Sequence, residues 1–487
     1  MNSNLRFSHP HGNVLYRKLR YEFPMMVRGE GVYLYDAGGK RYLDASGGAI
    51  VANLGHGNQT VAEAIGRQAA RLGYVSGLQF THEPVEELAR ALCSVAPPGL
   101  TKAFFLSGGT EATEAAMKLA RQYWMARGVT TKYKIISRLP SYHGNTFGSM
   151  GVSGRQAYRV QFQHMYVDHP KIPPPICYRC AWGKIFPHCD YECASELELV
   201  IQREGPDTVA AFLAEPVLGT TGSGMVPPAE YYPRVVEICR KYNLLFIADE
   251  ILCGMGRTGD WFAITATGVT PDIMLAGKGL TGGYVPLSAM LARGELVEAI
   301  YASGSDFLHA QTFAHHPVAC AAALATIRYL QEHQLVERCR EMGVVLHARL
   351  QRLRAHPLVG DLRGRGLLAG IELAADKSTR APFARSLKIV EKIAAEARLD
   401  HLDQRRPRGR QQWRRHSTRA AVHRESGTDR SDRDAAGAES GCRGRGFAFA
   451  VNRHLITPPA LLSRLVLWRA ILPSEYSCMK IVLQAKF

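Results

Sequence analysis

A single lysine stands between two glycines directly after a short apolar run, in the segment DIMLAGKG at residues 272–279. The apolar run predicts a buried strand, which puts Lys278 at the end of that strand. A lysine amine condenses with an aldehyde to form a Schiff base, and Gly277 and Gly279 have no side chains to obstruct a planar aldehyde. Most lysines are solvated surface groups, so this segment alone favours the ordinary interpretation.

A second apolar run, LLFIADE at residues 244–250, ends in two adjacent carboxylates. The ends of such strands line the ligand crevice of an open α/β sheet. A carboxylate buried there needs a partner, and a protonated pyridine nitrogen would keep Asp249 ionised. A helix cap or a structural ion pair is the alternative, which the spacing alone favours.

A glycine-rich turn, SGGTEA at residues 107–112, follows the apolar run KAFFL and opens the helical stretch EATEAAMKLARQYW. A turn of this kind at a helix N-terminus presents backbone N–H groups and a hydroxyl to an anion. Gly109 and Thr110 are therefore candidate phosphate ligands. An ordinary loop between a strand and a capped helix fits the same residues equally well.

The elements that must position these residues follow from the hydrophobic pattern. From about residue 101, short apolar runs alternate with helix-like stretches, which is typical of a mainly parallel α/β sheet. We predict these helices at residues 110–127, 194–203 and 229–242.

Two flanking regions have patterns of their own. Alternation around Gly38 and Gly39 predicts a β-hairpin over residues 28–44, and two helices follow at 60–72 and 84–96. Residues 317–375 predict two long helices and one strand, RGRGLLAGIEL, in a smaller α/β domain.

Charge is unevenly distributed along the 487 residues. The formal net charge is +17, of which residues 401–487 carry +10. Residues 401–446 contain many arginines, no lysine and almost no large aliphatic residue, so they cannot build a core. We expect this tail to be disordered or the product of a reading-frame shift. Because it lacks interleaved aromatic residues, we do not expect it to bind nucleic acid.

The location of the protein is also an expectation. The first twenty residues are polar and interrupted by Pro10 and Gly12, which is unlike a signal peptide or a membrane helix. The eleven cysteines are scattered through a long chain, which favours a reducing compartment. These features predict a soluble, cytoplasmic protein that does not enter a membrane.

Four of these cysteines, Cys177, Cys180, Cys189 and Cys193, lie close together in a loop rich in Tyr and Pro. Paired spacing of this kind is one way in which structural zinc is held. Free or redox-labile thiols are the favoured interpretation, and we expect no metal in the chemistry.

Taken in chain order, these segments resemble the class III aminotransferases, which are pyridoxal 5′-phosphate enzymes of fold type I. The resemblance runs from about Tyr21 to Leu373. It rests on several motifs in register: SGGTEATEAAMKLAR, SYHGNTFGSM, AEPV, ADEILCGMGRTG, DIMLAGKGLTGGYVPLSA, QTFAHHP and RGRGLLAGIEL.

The resemblance implies an α/β fold with two domains. The large domain has a mainly parallel sheet of the seven-stranded type flanked by helices, and the smaller domain is also α/β. We assign residues 1–75 to the N-terminal segment of the small domain, 76–316 to the large cofactor-binding domain, 317–400 to an incomplete C-terminal small domain and 401–487 to the atypical tail.

The resemblance also implies roles for four of the residues introduced above. Lys278 carries pyridoxal 5′-phosphate as a Schiff base and transfers the proton in catalysis. Asp249 pairs with the pyridine nitrogen, and Gly109 and Thr110 hold the phosphate.

Further cofactor-binding residues follow from the same motifs. Tyr142 stacks on one face of the cofactor ring, Ile251 packs on the other, and His143 belongs to the same site. Glu215 lies near the cofactor's 3′-oxygen and the substrate. Thr312 reaches the phosphate in the neighbouring subunit, which requires a homodimer with active sites at its interface.

The expected activity is transfer of an amino group from an ω-amino acid, diamine or related amine to a keto acid such as pyruvate. A racemase, aminomutase or decarboxylase of the same fold would share Lys278 and Asp249. A chain that binds the cofactor without turnover is a further alternative, because relatives commonly place the arginine for the substrate carboxylate in the region that the tail replaces. Tyr21, residues 46–48 and residues 80–81 are candidates for lining the substrate pocket, the last of these from the opposite subunit.

Overall fold

The computed structural model describes residues 6–7, 12–384, 387 and 480–484. The end of the predicted C-terminal small domain, from residue 388 to 400, and most of the tail from residue 401 lie outside the described residues. Within the tail, Lys480–Gln484 forms a strand.

Strands and helices alternate along most of the described chain. The strands are β1 (Arg6–Phe7), β2 (Phe23–Pro24), β3 (Met26–Glu30), β4 (Tyr33–Asp36), β5 (Arg41–Leu43), β6 (Leu100–Leu106), β7 (Lys134–Arg138), β8 (Lys171–Ile172), β9 (Val209–Ala214), β10 (Leu245–Asp249), β11 (Ile273–Ala276), β12 (Ser288–Arg293), β13 (Val359–Arg365), β14 (Leu368–Leu373) and β15 (Lys480–Gln484). The helices are α1 (Gly47–Ile50), α2 (Gln59–Arg71), α3 (Glu83–Val95), α4 (Gly109–Ala126), α5 (Phe147–Val152), α6 (Gln156–Phe162), α7 (Glu192–Glu204), α8 (Tyr231–Lys241), α9 (Gly294–Ala302), α10 (Pro317–Glu332) and α11 (Leu335–Leu350).

A seven-stranded sheet with the order β6-β12-β11-β10-β9-β7-β8 forms the centre of the fold. Strand β12 is antiparallel to both of its neighbours, whereas β8, β7, β9, β10 and β11 pair in parallel. Every residue of β9 and β10 is buried, as expected for central strands covered by helices on both faces. The predicted α/β class and mainly parallel sheet are confirmed.

The N-terminal elements agree with the expected hairpin. Strands β4 and β5 pair antiparallel around the turn that contains Gly38 and Gly39, and β3 adds a third strand on the other side of β4. Helices α2 and α3 begin and end within one residue of their predicted bounds. Their first turns are capped by the side chains of Asn58 and His82, which accept hydrogen bonds from Val61 and Val85.

The prediction that RGRGLLAGIEL forms one strand is wrong. The segment is divided between β13 and β14, which form an antiparallel hairpin with a turn at Gly366 and Leu367. Gly366 has a φ of +57°, and a Cβ there would lie 2.4 Å from the carbonyl carbon of Thr258. Only glycine combines that backbone conformation with such close packing, so the turn occurs here. Strand β15 pairs in parallel with β14.

Insertion of a helix into a membrane requires a long and predominantly apolar segment. No helix within the described ranges combines the length and the apolar character needed to span a membrane.

Candidate active site

Three candidate residues converge because they follow adjacent parallel strands. Strand β10 pairs with β9 on one side and with β11 on the other, with Asp249 opposite Leu275. Asp249 is the last residue of β10, Glu215 comes directly after β9, and Lys278 follows β11 by two residues. The carboxyl ends of parallel strands form the usual ligand crevice of such a sheet.

Asp249 is buried and paired with His143. Its Oδ2 lies 2.7 Å from Nδ1 of His143, and its Oδ1 accepts a hydrogen bond from the backbone N–H of Ile251. The backbone of His143 is held in turn, because its N–H donates to Ser153 Oγ and its carbonyl accepts from Thr113 Oγ1. These contacts hold the Asp249 carboxylate in one orientation at the floor of the crevice.

Lys278 has an unusual backbone conformation. Its φ of +47° is in the left-handed region, which costs energy for a residue with a side chain and is most often found at functional sites. Burial lowers the pKa of its amine, and the negative charges of Asp249 and Glu215 oppose this shift. Its Nζ has no hydrogen-bond partner within the described part of the chain, so the amine is available for chemistry.

The glycines beside Lys278 are needed for packing. A Cβ at Gly279 would lie 2.8 Å from Asn53 Nδ2, and a Cβ at Gly277 would lie 3.4 Å from Ile251 Cγ2. A side chain at either position would therefore crowd Asn53 or Ile251, and the two glycines let these residues pack closely against the loop that carries the lysine.

Glu215 lies on the other side of the crevice and is buried. Burial raises the pKa of its carboxyl to about 7, while the positive charges of His143 and Arg138 oppose this shift and the charge of Asp249 adds to it. The backbone N–H of Tyr142 donates to Glu215 Oε2 at 3.4 Å. The carboxyl of Glu215 can therefore exchange a proton near neutral pH.

Glu250, the second carboxylate of the LLFIADE segment, faces away from the crevice. Its Oε1 accepts from the backbone N–H of Ile264 at 2.6 Å, and its Oε2 accepts from Cys253 Sγ at 3.1 Å. Burial raises its pKa to about 7. Glu250 thus holds the loop after β10, and of these two carboxylates it is Asp249 that faces the crevice.

The N-terminus of α4 forms the expected cup. The side chain of Glu111 accepts from the N–H of Gly108, while the N–H groups of Gly109 and Thr110 have no acceptor among the residues that the structure describes. Thr110 Oγ1 accepts from the N–H of Asn145 at 2.9 Å. Unpartnered N–H groups at a helix N-terminus bind anions.

One contributor to this cup, Ser149, was missed by sequence reasoning. Its Oγ lies 2.9 Å from Thr110 Oγ1. A Cβ at Gly144 would lie only 1.9 Å from Thr110 Oγ1 and 2.4 Å from Ser149 Oγ, so this glycine allows the two hydroxyl groups to approach. Gly144 and Ser149 belong to the motif SYHGNTFGSM, but the contact with Thr110 spans 39 positions and is not evident from spacing.

Ile251 links the cup to the lysine loop. A Cβ at Gly109 would lie 2.9 Å from Ile251 Cδ1, and Ile251 also contacts the position of Gly277. The three positions therefore form one continuous apolar wall of the crevice.

Thr312 lies apart from the other candidates. It is exposed and lines a separate cavity of about 730 Å³ together with Tyr74, Leu78, Phe104 and Tyr301. Phe80, a second candidate assigned to the opposite subunit, is also exposed, at 63%. The structure of one protomer thus brings neither residue to Lys278.

The four clustered cysteines line one small cavity beside Tyr191. Burial raises the pKa of Cys193 to about 12, and the neighbouring thiols of Cys177, Cys189 and Cys180 contribute to this rise. Among the residues with a described placement, no group of three or more His, Cys, Asp or Glu side chains is arranged to hold a metal ion. Cys177, Cys180, Cys189 and Cys193 are free thiols in the structure, without a disulfide bond.

The chain is similar to known proteins in both sequence and structure. A model of the family described as "Aminotransferase class-III" matches residues 17–397. The chain belongs to the class III aminotransferase family. Members of this family use pyridoxal 5′-phosphate. The expected fold type, enzyme class and cofactor are confirmed.

Several relatives of this class III aminotransferase have informative names. A putrescine–pyruvate aminotransferase of Pseudomonas aeruginosa is 38% identical over 361 residues, which covers 74% of this chain and 79% of the relative. A solved (S)-enantioselective ω-transaminase from Thermomicrobium roseum is 38% identical with a TM-score of 0.75 and covers 81% of this chain and 87% of its own. An ω-transaminase from Pseudomonas jessenii, solved with PMP, is 37% identical with a TM-score of 0.73 and coverages of 77% and 84%.

Proposed function

We propose that this class III aminotransferase transfers the amino group of a diamine, ω-amino acid or related amine to a keto acid such as pyruvate, with Lys278 as its catalytic residue. The observation that carries the proposal is the convergence of Lys278, Asp249 and the unpartnered N–H groups of Gly109 and Thr110 in one crevice. The names of the relatives support the substrate class.

The residues present fit pyridoxal 5′-phosphate. Gly109, Thr110 and Ser149 would hold the phosphate, because their donors converge at the N-terminus of an 18-residue helix. Asp249 would hold the pyridine nitrogen in its protonated state, and His143 would orient Asp249. When bound, the cofactor supplies a conjugated ring that accepts the electrons released when a C–H bond breaks.

Lys278 is suited to move the proton in this reaction. Because burial lowers the pKa of its amine, more of the amine is neutral near pH 7 than for a solvated lysine. A neutral amine both accepts a proton from the substrate carbon and returns it to another position. Its position two residues after β11 keeps Nζ near the crevice floor.

Tyr142 and Ile251 would enclose the ring of the cofactor. Tyr142 is half-buried and its backbone N–H is bonded to Glu215, whereas Ile251 packs between Gly109 and Gly277. Held between these two side chains, the ring would be shielded from water and restricted to one plane. Glu215, with its pKa near 7, would exchange a proton with the ring oxygen or the substrate.

The second subunit is part of the proposal. Exposed apolar side chains surround Thr312: Tyr74 is 48% exposed, Leu78 86%, Tyr301 78% and Phe313 54%. Contiguous exposed apolar residues of this kind mark an interface. We propose a homodimer in which Thr312 of each protomer reaches the phosphate bound by the other.

Reduction of the purified holoenzyme with borohydride, followed by peptide mass spectrometry, tests the central role of Lys278. The cofactor should be found on the peptide that contains Lys278, and Lys278→Ala should lose at least about 10³-fold in alanine formation from putrescine and pyruvate. Lys241→Ala is the control, because Lys241 is 61% exposed and pairs with Glu198 at the surface. Attachment at another lysine, or full activity of Lys278→Ala, would contradict the proposal.

A further inference from the structure

Two arginines, Arg155 and Arg17, lie close to the rings of Tyr142 and Tyr158. The guanidinium carbon of Arg155 is 5.7 Å from the centre of the Tyr142 ring and 4.5 Å from that of Tyr158. Arg17 lies over the other part of Tyr158, at 5.4 Å, and donates a hydrogen bond to its hydroxyl. We call Arg17, Arg155 and Tyr158 the arginine cluster.

The position of Arg155 is fixed by its neighbours in the chain. The N–H of Gly154 donates to both the carbonyl and the Oγ of Ser141, and Ser153 Oγ accepts from the N–H of His143. A Cβ at Gly154 would lie 2.5 Å from the carbonyl oxygen of Arg138, so the two backbone segments are in direct contact. Residues 153 and 154 are thus hydrogen-bonded to the two neighbours of Tyr142, Ser141 and His143. Arg155 is the next residue in the chain.

The charges of the cluster are not neutralised by the described residues. Arg159, only four positions on, pairs with Asp168. Neither Arg17 nor Arg155 forms an ion pair with a carboxylate within the described ranges. Both guanidinium groups oppose the rise in the pKa of the Tyr142 hydroxyl that burial causes, which shows that their charges act at this ring.

We propose that the arginine cluster binds the carboxylate of the keto acid acceptor, with Arg155 as the main ligand and Arg17 and Tyr158 as supporting donors. A planar guanidinium presents paired N–H donors that match a carboxylate. This inference rests on the proposed function, because it requires Tyr142 to border the reacting groups. It assigns the acceptor's acid group to residues of the N-terminal segment and the α5–α6 region.

The consequence is a difference between substrates. An acceptor with a carboxylate next to its carbonyl gains the ionic contact, whereas an amine or aldehyde without an acid group does not. The cluster therefore determines which acceptor is used, while the donor half-reaction with a diamine is independent of it.

Half-reactions of the full-length holoenzyme test this assignment. The donor half-reaction is followed with putrescine, and the acceptor half-reaction is followed with pyruvate and with acetaldehyde, in which hydrogen replaces the carboxylate. In Arg155→Ala, the pyruvate concentration for half-maximal rate should rise about tenfold, while the constants for putrescine and acetaldehyde stay within about twofold. Arg17→Ala should show the same pattern with a smaller rise.

Two further variants separate binding from structure. Arg155→Lys keeps the charge without the paired donors, so it should restore part of the pyruvate affinity. Arg67→Ala is the control, because Arg67 is 71% exposed on α2 and pairs with Glu63 on the same helix. Its kinetics should equal those of the unmodified enzyme.

The outcomes distinguish this inference from the proposed function. An equal loss with pyruvate, acetaldehyde and putrescine would mean that Arg155 only positions Tyr142 and would overturn the inference. If Arg155→Ala kept the same preference for pyruvate over acetaldehyde as the unmodified enzyme, the inference would be overturned as well. If the unmodified enzyme itself failed to react with every amine and keto acid, the proposed function would be wrong, whatever the variants did.

Discussion

The candidate site has two regions that are built differently. The proposed cofactor region consists of Lys278, Asp249, His143 and the cup at Gly109 and Thr110. The proposed substrate region is the arginine cluster, and Tyr142 lies between the two regions. Buried strand ends hold the first region, and backbone contacts orient Asp249, His143 and Thr110. Loops and the exposed N-terminal segment form the second. We therefore expect the chemistry to depend on the buried region and the choice of acceptor to depend on the more exposed one.

After Lys278→Ala, the largest effect is expected from Asp249→Asn. An amide cannot hold the pyridine nitrogen in its charged form, so the rate of the putrescine half-reaction should fall about 10²- to 10³-fold. Stopped-flow spectroscopy measures this rate. Glu250→Gln is the matched control on the same strand end, because Glu250 faces Cys253 and Ile264 instead of the crevice. Equal losses in both variants would erase the distinction between these neighbouring carboxylates.

A smaller loss is expected from His143→Ala. Asp249 would lose its 2.7 Å partner and its fixed orientation, so cofactor affinity should fall about 10- to 100-fold. Equilibrium dialysis of the apoenzyme against pyridoxal 5′-phosphate measures this constant. Since the change lies in the cofactor region, the preference for pyruvate over acetaldehyde should stay the same. A change in that preference would show that the two regions are coupled.

Thr312→Ala tests whether the cofactor region extends across two protomers. Loss of one hydroxyl donor to a phosphate should weaken cofactor binding about tenfold in the dimer. Mixed dimers, formed from Thr312→Ala and Lys278→Ala protomers, sharpen the test. In the mixed dimer, only one of the two sites keeps Lys278. If Thr312 acts on the partner's phosphate, that site receives an intact Thr312 from the Lys278→Ala protomer. Its affinity for the cofactor should then be normal. A weakened site there, or no loss of affinity in the Thr312→Ala dimer, would contradict the shared site.

The last prediction concerns stability rather than activity. The pKa of Glu250 is raised from 4.5 to about 7, so its contribution to folding is greatest below pH 4.5 and is lost as pH rises through 7. Glu250→Gln removes this titration. Between pH 4.5 and 7.5, the free energy of unfolding of the unmodified protein should fall relative to the variant by up to about 3 kcal/mol. Urea titrations at both pH values measure the difference, and parallel curves would contradict it.

Sequence reasoning identified the parts of the cofactor region that depend on local pattern. The apolar runs before Asp249 and Lys278 predicted buried strands, and SGGTEA predicted an anion cup at a helix N-terminus. It did not identify the arginine cluster, because Arg17 and Tyr158 are 141 positions apart. It also misjudged RGRGLLAGIEL, since the turn at Gly366 depends on packing against Thr258.

The sequence by itself therefore determined the family, the strand and helix pattern and the order of the chemical groups along the chain, because each is carried by local composition and spacing. Only the tertiary structure decided which groups meet. It turned Asp249 towards His143 and Glu250 away from the crevice, placed Ser149 against Thr110 and left Thr312 on an exposed surface. The physical reason is that successive side chains alternate between the two faces of a sheet, whereas long-range packing decides which strands lie side by side and which face borders the crevice.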